Sequence, residues 1–238
     1  MDSALETLLQ QQSVWRCREG EPGLSAGSDA SVSSFVVASG YNKLDDYLPG
    51  GGWPRHALIE VLSGDSGIGE LRLFMPALAA LAARQPGYIV WIGAPYQAYA
   101  PALAQWGLDV SRVLVIQASQ TRDVLWASAE ALNSGSALAV LSWLPELDVT
   151  ASRRLQLAAV KGRSMAVVFR PLSARQQSSA ASLRMSLCHG SQGTEIDFFK
   201  VRGASPQRIC NYDNTQGFWP GLTPAAPAHA TRATLVPG

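Results

Sequence analysis

The chain has 238 residues, of which 47% are hydrophobic and 16% are charged, a globular composition that excludes a disordered or fibrous protein. Every apolar run is shorter than the roughly 18 residues that a membrane-spanning helix needs. The formal net charge is +1, but acidic and basic residues are unevenly distributed along the chain. Residues 1–150 hold 8 Lys and Arg against 15 Asp and Glu, whereas the basic block, residues 151–210, holds 10 against 2.

Composition divides the chain into four predicted segments. They are an N-terminal helix (1–18), a Gly- and Ser-rich linker (19–34), a core domain (35–219) and a Pro- and Ala-rich disordered tail (220–238). The first residues show no basic region followed by an apolar one, so no secretory signal is expected. The three cysteines are far apart and odd in number, which indicates a reduced cytoplasm and no metal site.

Apolar strands alternate with helical patterns along the core domain. The predicted strands are 57–62, 87–93, 112–118, 137–143 and 164–171, and the predicted helices are 70–84, 99–107, 121–135 and 150–163. Such alternation indicates parallel crossover units, with helices on both faces of one sheet. Residues 183–190 and 194–202 predict an antiparallel hairpin that extends one edge. The fold class is therefore α/β with a mostly parallel sheet.

A glycine-rich turn follows the first of these strands and resembles a phosphate-binding loop of the G-x-x-x-x-G-K-[ST] type. Gly64 and Gly69 have the required spacing, but Glu70 replaces the lysine that binds phosphate. Leu71 replaces the hydroxyl residue that binds magnesium. A carboxylate repels a triphosphate and itself satisfies a helix N-terminus. We therefore expect a relic loop that binds no nucleotide.

The other parts of an ATPase site are also missing from the sequence. The strand that would carry a magnesium-binding carboxylate ends in Ser142 and Trp143, and the next acids, Glu146 and Asp148, come too late. Glu60 has no nucleotide to act on, and the histidines suggest no triad. The chain is expected to be no enzyme and to use no cofactor or metal. The alternative is an active ATPase with an unusual loop.

The sequence that leads into this loop resembles RecA-type recombinases. Residues 39–60, SGYNKLDDYLPGGGWPRHALIE, carry a Leu-Asp pair, a glycine run, a proline and a glutamate on the first core strand. Arg170 occupies the position of a nucleotide sensor in that superfamily, and residues 198–202 resemble its late basic strand. The resemblance implies a RecA-like core with a degenerate loop.

Two families share the altered loop region. GGGWPRHALIEVL, GIGELRLFMPALAALA, YIVWIGAPYQAYAPAL and FFKVRG resemble ImuA, a family associated with translesion DNA synthesis, over nearly residues 35–205. VWIGAP, WGLDVSRVLV, VLSWLPE and VFRPLSA resemble the cell-division inhibitor SulA over roughly residues 87–173. The fuller coverage favours ImuA.

These resemblances imply two alternative functions. An ImuA-type chain would be an adaptor in SOS-induced, error-prone lesion bypass. It would work with an ImuB-type Y-family-like partner, a DnaE-type polymerase and RecA, in the cytoplasm and at the nucleoid during DNA damage. A SulA-type chain would block assembly of the tubulin-like division protein.

The candidate contacts with a partner or with DNA combine basic and aromatic residues. They are Arg153, Arg154, Lys161, Arg163, Arg170, Arg175, Arg184, Lys200, Arg202, Trp15, Phe218 and Trp219. Residues 170–182 read as a flexible polar loop without an aromatic residue, so DNA contact would be electrostatic and salt-sensitive. The alternative is a solvated face, or cations neutralised by the acidic half of the same fold. Five other tryptophans are predicted to be core residues: Trp53, Trp91, Trp106, Trp126 and Trp143.

Overall fold

A computed structural model of the chain describes residues 35–64, 67–190 and 193–212. The predicted N-terminal helix, the linker and the tail lie outside the described residues, as do Trp15, Phe218 and Trp219. Among the described residues, no helix combines the length and the hydropathy that crossing a bilayer requires.

Strands and helices alternate as the hydrophobic pattern predicts. The strands are β1 (Val36–Val37), β2 (Trp53–Pro54), β3 (Leu58–Ser63), β4 (Tyr88–Ile92), β5 (Val113–Ile116), β6 (Ala137–Trp143), β7 (Met165–Pro171), β8 (Leu183–Gly190), β9 (Gly193–Val201) and β10 (Gln207–Tyr212). The α-helices are α1 (Asn42–Asp45), α2 (Met75–Arg84), α3 (Ala100–Gln105), α4 (Thr121–Asn133) and α5 (Val149–Lys161).

An eight-stranded sheet organises the fold in the order β10-β9-β8-β3-β7-β6-β4-β5. The six strands from β8 to β5 are all parallel. The chain connects them through helices or long loops, as parallel pairing requires. β9 and β10 are antiparallel additions on the side of β8. The predicted mostly parallel sheet with an antiparallel hairpin is confirmed, and β10 adds a third strand that the sequence did not predict.

Helices cover both faces of the sheet, which gives the protein two apolar layers. Neighbouring residues of β3 point to opposite faces: Ile59 packs with helices α2 and α3, and Leu58 packs with helices α4 and α5. The inner parallel strands β3, β4, β6 and β7 are buried on both faces and read as continuous apolar runs for that reason, whereas the edge strand β5 exposes Leu114, Val115 and Ile116.

Helix α2 begins later than predicted. The periodicity predicts a helix from residue 70, but the helix begins at Met75, with residues 70–74 in turns. Pro76 fits the first helical turn because its missing N–H needs no partner there. Residues 70–74 instead form the end of the glycine-rich loop, so Glu70 lies outside the helix.

The tryptophans divide between the core and the surface. Trp53 is fully buried and stacks on Phe74 with ring centroids 4.5 Å apart, and Trp91 is also buried. Trp106 and Trp143 are half-buried against the same apolar layer. Trp126 is 61% exposed on α4, so its prediction as a core residue is wrong. Helical spacing places a residue on a face, but only packing decides which faces are covered.

Candidate functional site

A cleft of about 700 Å³ lies outside the carboxyl ends of the parallel strands. Its walls include Ser63 at the end of β3, Gly93 after β4, Trp143 at the end of β6 and Arg170 at the end of β7. Open parallel sheets bind their ligands at this edge, because loops from several strands converge there. The cleft is therefore the first candidate site.

The glycine-rich loop forms one side of the cleft, and its backbone binds one of its own side chains, that of Glu70. Gly67 and Gly69 have φ angles of +84° and +95°, values that favour glycine. Glu70 is only 6% exposed, and its Oε1 accepts a hydrogen bond of 2.9 Å from the backbone N–H of Gly67. A loop amide is thus already bound to an anion that the chain itself supplies.

The strand ends hold no metal-binding carboxylate at the expected positions. Ser142 shares a hydrogen bond of 2.7 Å with Ser128, and Trp143 stacks on Phe169 with centroids 4.8 Å apart. Asp148 caps helix α5, with Oδ1 accepting from the N–H of Ala151 at 2.6 Å. Within the described ranges, no three His, Cys, Asp or Glu side chains are grouped so that they could hold a metal ion.

Glu60 forms a buried ionic cluster beneath the cleft. Its Oε2 lies 2.8 Å from Nε of Arg184 and 3.3 Å from Nη1 of Arg170, and Ser179 donates its hydroxyl to Oε1. All three charged side chains are almost fully buried. Arg170 and Arg184 are therefore removed from the candidate contacts, because their charge is committed inside the fold. A carboxylate within the apolar strand β3 was the sequence signal for this cluster.

The predicted flexible loop 170–182 is held against the sheet. Residues Leu172–Gln176 form a 3₁₀-helix, and Gln177 accepts a hydrogen bond of 2.6 Å from Nη2 of Arg170. The N–H of Ala180 donates to Oγ of Ser152 on α5 at 2.9 Å. The polar side chains of this loop thus bond to the chain itself, and its flexibility stays a prediction.

Acids of the same basic block neutralise further cations. Arg175 lies 2.6 Å from Asp197 and 4.4 Å from the centre of the Phe199 ring, and Arg208 pairs with Glu195. Lys200 donates to the carbonyl of Ser179 at 2.6 Å. Partial burial, then the charge of Arg184, lowers the pKa of Lys200. Arg175 and Arg208 are thus paired with acids of the basic block itself, whereas Arg170 and Arg184 pair with Glu60 of the acidic half.

The remaining cations are exposed, and most lie around helix α5. Arg153, Arg154 and Lys161 lie on the helix, Arg163 follows it, and Arg202 lies in the turn after β9. Leu157 is exposed between the helix cations, and Trp126 lies next to Arg154 in a shared depression. We call the set Trp126, Arg153, Arg154, Leu157 and Lys161 the α4–α5 surface. It combines cations with apolar side chains.

Comparison with known proteins finds two related groups. The family "Cell division inhibitor SulA" matches residues 59–166. Protein ImuA of Caulobacter vibrioides is 29% identical over 146 residues, which is 59% of this chain and 60% of that protein. The cell division inhibitor SulA of Edwardsiella piscicida is 29% identical over 110 residues, which is 46% of this chain and 66% of that protein.

A solved structure also resembles the chain. The crystal structure of SulA from Pseudomonas aeruginosa is 30% identical, with a TM-score of 0.40 over 48% of this chain and 97% of that one. The match to ImuA spans 60% of the length of that relative. The sequence matches confirm the resemblances to ImuA and SulA that the motifs indicated.

Proposed function

Because the chain is related to the ImuA family and to SulA, we propose that it is a non-catalytic accessory protein of the bacterial DNA-damage response. In this function it is an adaptor for SOS-induced, error-prone translesion synthesis. Its partners are an ImuB-type Y-family-like protein and a DnaE-type polymerase, with RecA as a further contact. It works in the cytoplasm and near the nucleoid.

The proposal includes a RecA-like origin for the fold. Three features support it: the parallel sheet, the glycine-rich turn between β3 and α2, and the lead-in sequence before β3. In this interpretation residues 64–71 are a degenerate phosphate loop, and Arg170 is a former sensor residue. Its buried side chain pairs with Glu60, which Arg184 shares.

The observation that carries the proposal is the buried carboxylate of Glu70 at the loop. A nucleotide would bring phosphate charge to the place where Oε1 accepts the N–H of Gly67. Two like charges about 4 Å apart repel by roughly 4 kcal/mol at an effective dielectric constant near 20. Because Glu70 already supplies an anion to the loop amide, phosphate would add no stabilisation there, and the cleft is available for another ligand.

Nucleotide titration tests this part of the proposal. We expect the full chain to give no binding heat with Mg-ATP at millimolar concentrations, because Glu70 occupies the loop amide and repels phosphate. The double variant Glu70→Lys with Leu71→Thr restores the cation and the hydroxyl of the loop pattern, so it should gain measurable binding. Tight binding of Mg-ATP by the unmodified chain would contradict a non-catalytic function.

The α4–α5 surface has the mixed apolar and basic character that suits a protein partner. Aliphatic and indole groups gain from burial against apolar atoms, whereas phosphates offer them nothing. The exposed Leu157 and Trp126 between the cations therefore favour an acidic protein surface over DNA. Any DNA contact by Arg153, Arg154, Lys161 and Arg163 would be electrostatic and would weaken steeply with salt.

Affinity capture from DNA-damaged cells tests the adaptor function. The tagged chain should retain an ImuB-type protein and a DnaE-type polymerase after damage. The variant Trp126→Ala with Arg154→Glu should lose them, because it removes both the apolar anchor and a cation. Arg84→Glu is the matched control, since Arg84 is an exposed cation outside this surface. Capture that never includes either protein would refute the adaptor proposal.

A second candidate function rests on the family match over residues 59–166, which favours inhibition of cell division. Assembly of the purified tubulin-like division protein, measured with and without the chain, distinguishes the two functions. Assembly should proceed unchanged in the presence of the chain if it is an adaptor. Dose-dependent block of assembly would replace the adaptor proposal with the SulA-like one.

A further inference from the structure

A smaller pocket of about 230 Å³ lies beside the cleft, on the other side of Glu70. The end of the glycine-rich loop forms one wall, and residues 94–106 form the opposite wall. Aromatic side chains make up much of its lining. They are Trp91, Tyr96, Tyr99, Trp106 and Trp143.

Two polar atoms of this lining are buried without a partner in the described part of the chain. One is Oε2 of Glu70, whose other oxygen accepts the N–H of Gly67, and the second is Nε1 of Trp91. A buried carboxylate oxygen without a donor is costly, and so is a buried indole N–H without an acceptor. Native proteins satisfy almost all such groups, so this pair points to a ligand that carries both a donor and an acceptor.

The chemistry of the pocket selects a cation. Glu70 is the only acidic residue among the described residues of its lining, and aromatic faces attract an ammonium or guanidinium group within about 6 Å of the ring centre. An anion would be repelled by Glu70, and a neutral apolar group would leave its oxygen unpaired. A metal ion is not supported here, because no three His, Cys, Asp or Glu side chains are grouped to hold one among the described residues.

Exposed tyrosines at the rim of the pocket indicate that the cation belongs to a protein. Tyr96 and Tyr99 are 69% and 70% exposed on the loop after β4, and they flank the entrance. Exposed tyrosines around a pocket are typical anchors for a protein partner. Arg72, the one cation in the lining, is exposed and forms no ion pair with Glu70 among the described residues.

We propose that this pocket receives a lysine or arginine side chain of a partner protein. The charged end of that side chain pairs with Oε2 of Glu70, and its alkyl stem packs between the aromatic rings. A backbone carbonyl of the partner accepts the indole N–H of Trp91. The inference deepens the proposed adaptor function by naming the chemistry of one contact. The inference rests on the proposed adaptor function in one respect, namely that the cation is a side chain of a protein partner.

Two-dimensional NMR of the full chain tests the proposal with small probes. The indole N–H signal of Trp91, assigned with a Trp91→Phe variant, reports directly on the pocket. Nα-acetyl-arginine amide should shift this signal with millimolar affinity. Nα-acetyl-citrulline amide has the same shape without the charge and should bind at least ten times more weakly. Glu70→Gln keeps the acceptor for Gly67 and should lose the same factor, whereas Glu130→Gln, an exposed acid on α4, should change nothing.

Three outcomes would overturn the proposal. They are a Trp91 signal that does not move, equal binding of the citrulline probe, and unchanged affinity in the Glu70→Gln variant. The citrulline comparison uses the unmodified chain, so it holds even if a variant folds poorly. A fourth arm compares n-butylammonium, the bare lysine side chain, with Nα-acetyl-lysine amide, and tighter binding of the free amine than of the blocked lysine would refute a protein source. None of these results depends on affinity capture, so the adaptor function is tested separately.

Discussion

Replacing Glu60 with glutamine is expected to lower the free energy of unfolding by about 3–5 kcal/mol. Glutamine keeps the size of the side chain and an acceptor for Ser179, but it removes the negative charge. Arg170 and Arg184 would then be two buried guanidinium groups without a counter-ion. Burying an unpaired charge costs several kcal/mol, which is a large share of the stability of an ordinary domain. Urea unfolding followed by circular dichroism measures the change.

The control for this prediction is Glu195→Gln, which removes an ion pair with Arg208 at the surface. More than half of the Arg208 side chain is exposed, so water screens the pair. We expect a loss of no more than about 1 kcal/mol. Equal losses for the two variants would mean that burial of the Glu60 cluster does not determine its contribution.

Trp53 and Trp126 are expected to differ strongly in how much each contributes to the free energy of unfolding. Trp53→Ala should cost about 3–5 kcal/mol, because the indole is fully buried against Phe74 and its removal leaves a cavity. Trp126→Ala should stay within about 0.5 kcal/mol, because the side chain is 61% exposed. The midpoint of urea unfolding, compared at unchanged slope, gives both values.

The two variants also separate stability from binding. Trp126→Ala should fold as well as the unmodified chain and still bind the proposed partner less well, because the indole lies on the α4–α5 surface. A loss of stability at Trp126 as large as that at Trp53 would show that α4 is covered, and would remove Trp126 from the binding surface.

Much of the fold was predictable because it follows from local pattern. The run at residues 137–143 is β6, and the alternation of such runs with helical periods requires parallel crossovers. The start of α2 was not predictable to the residue, since residues 70–74 have helical periodicity but bend into the loop. The pairing of β8 with β3, more than a hundred residues apart, is also beyond local pattern.

The candidate site was predictable in its composition but not in its geometry. Glu70 and Leu71 depart from a phosphate-loop pattern in the sequence alone, so the expectation that nucleotide is not bound needs no coordinates. The bond from Gly67 to Glu70, and the aromatic pocket behind it, required the folded chain. Tyr96 and Tyr99 carry no sequence signal that relates them to Glu70, because the two segments meet only in space.

Residue type and spacing by themselves determined the layered α/β architecture, the sign of the charge at the glycine-rich loop and the basic character of residues 151–210. Only the tertiary structure decided which of those cations are free. Arg170 and Arg184 look like Arg153 and Arg154 in the sequence, yet the first two are buried around Glu60 and the last two face solvent on α5. The physical reason is that a charge acts through its nearest partner and its burial, and both are set by strands and helices distant in the chain.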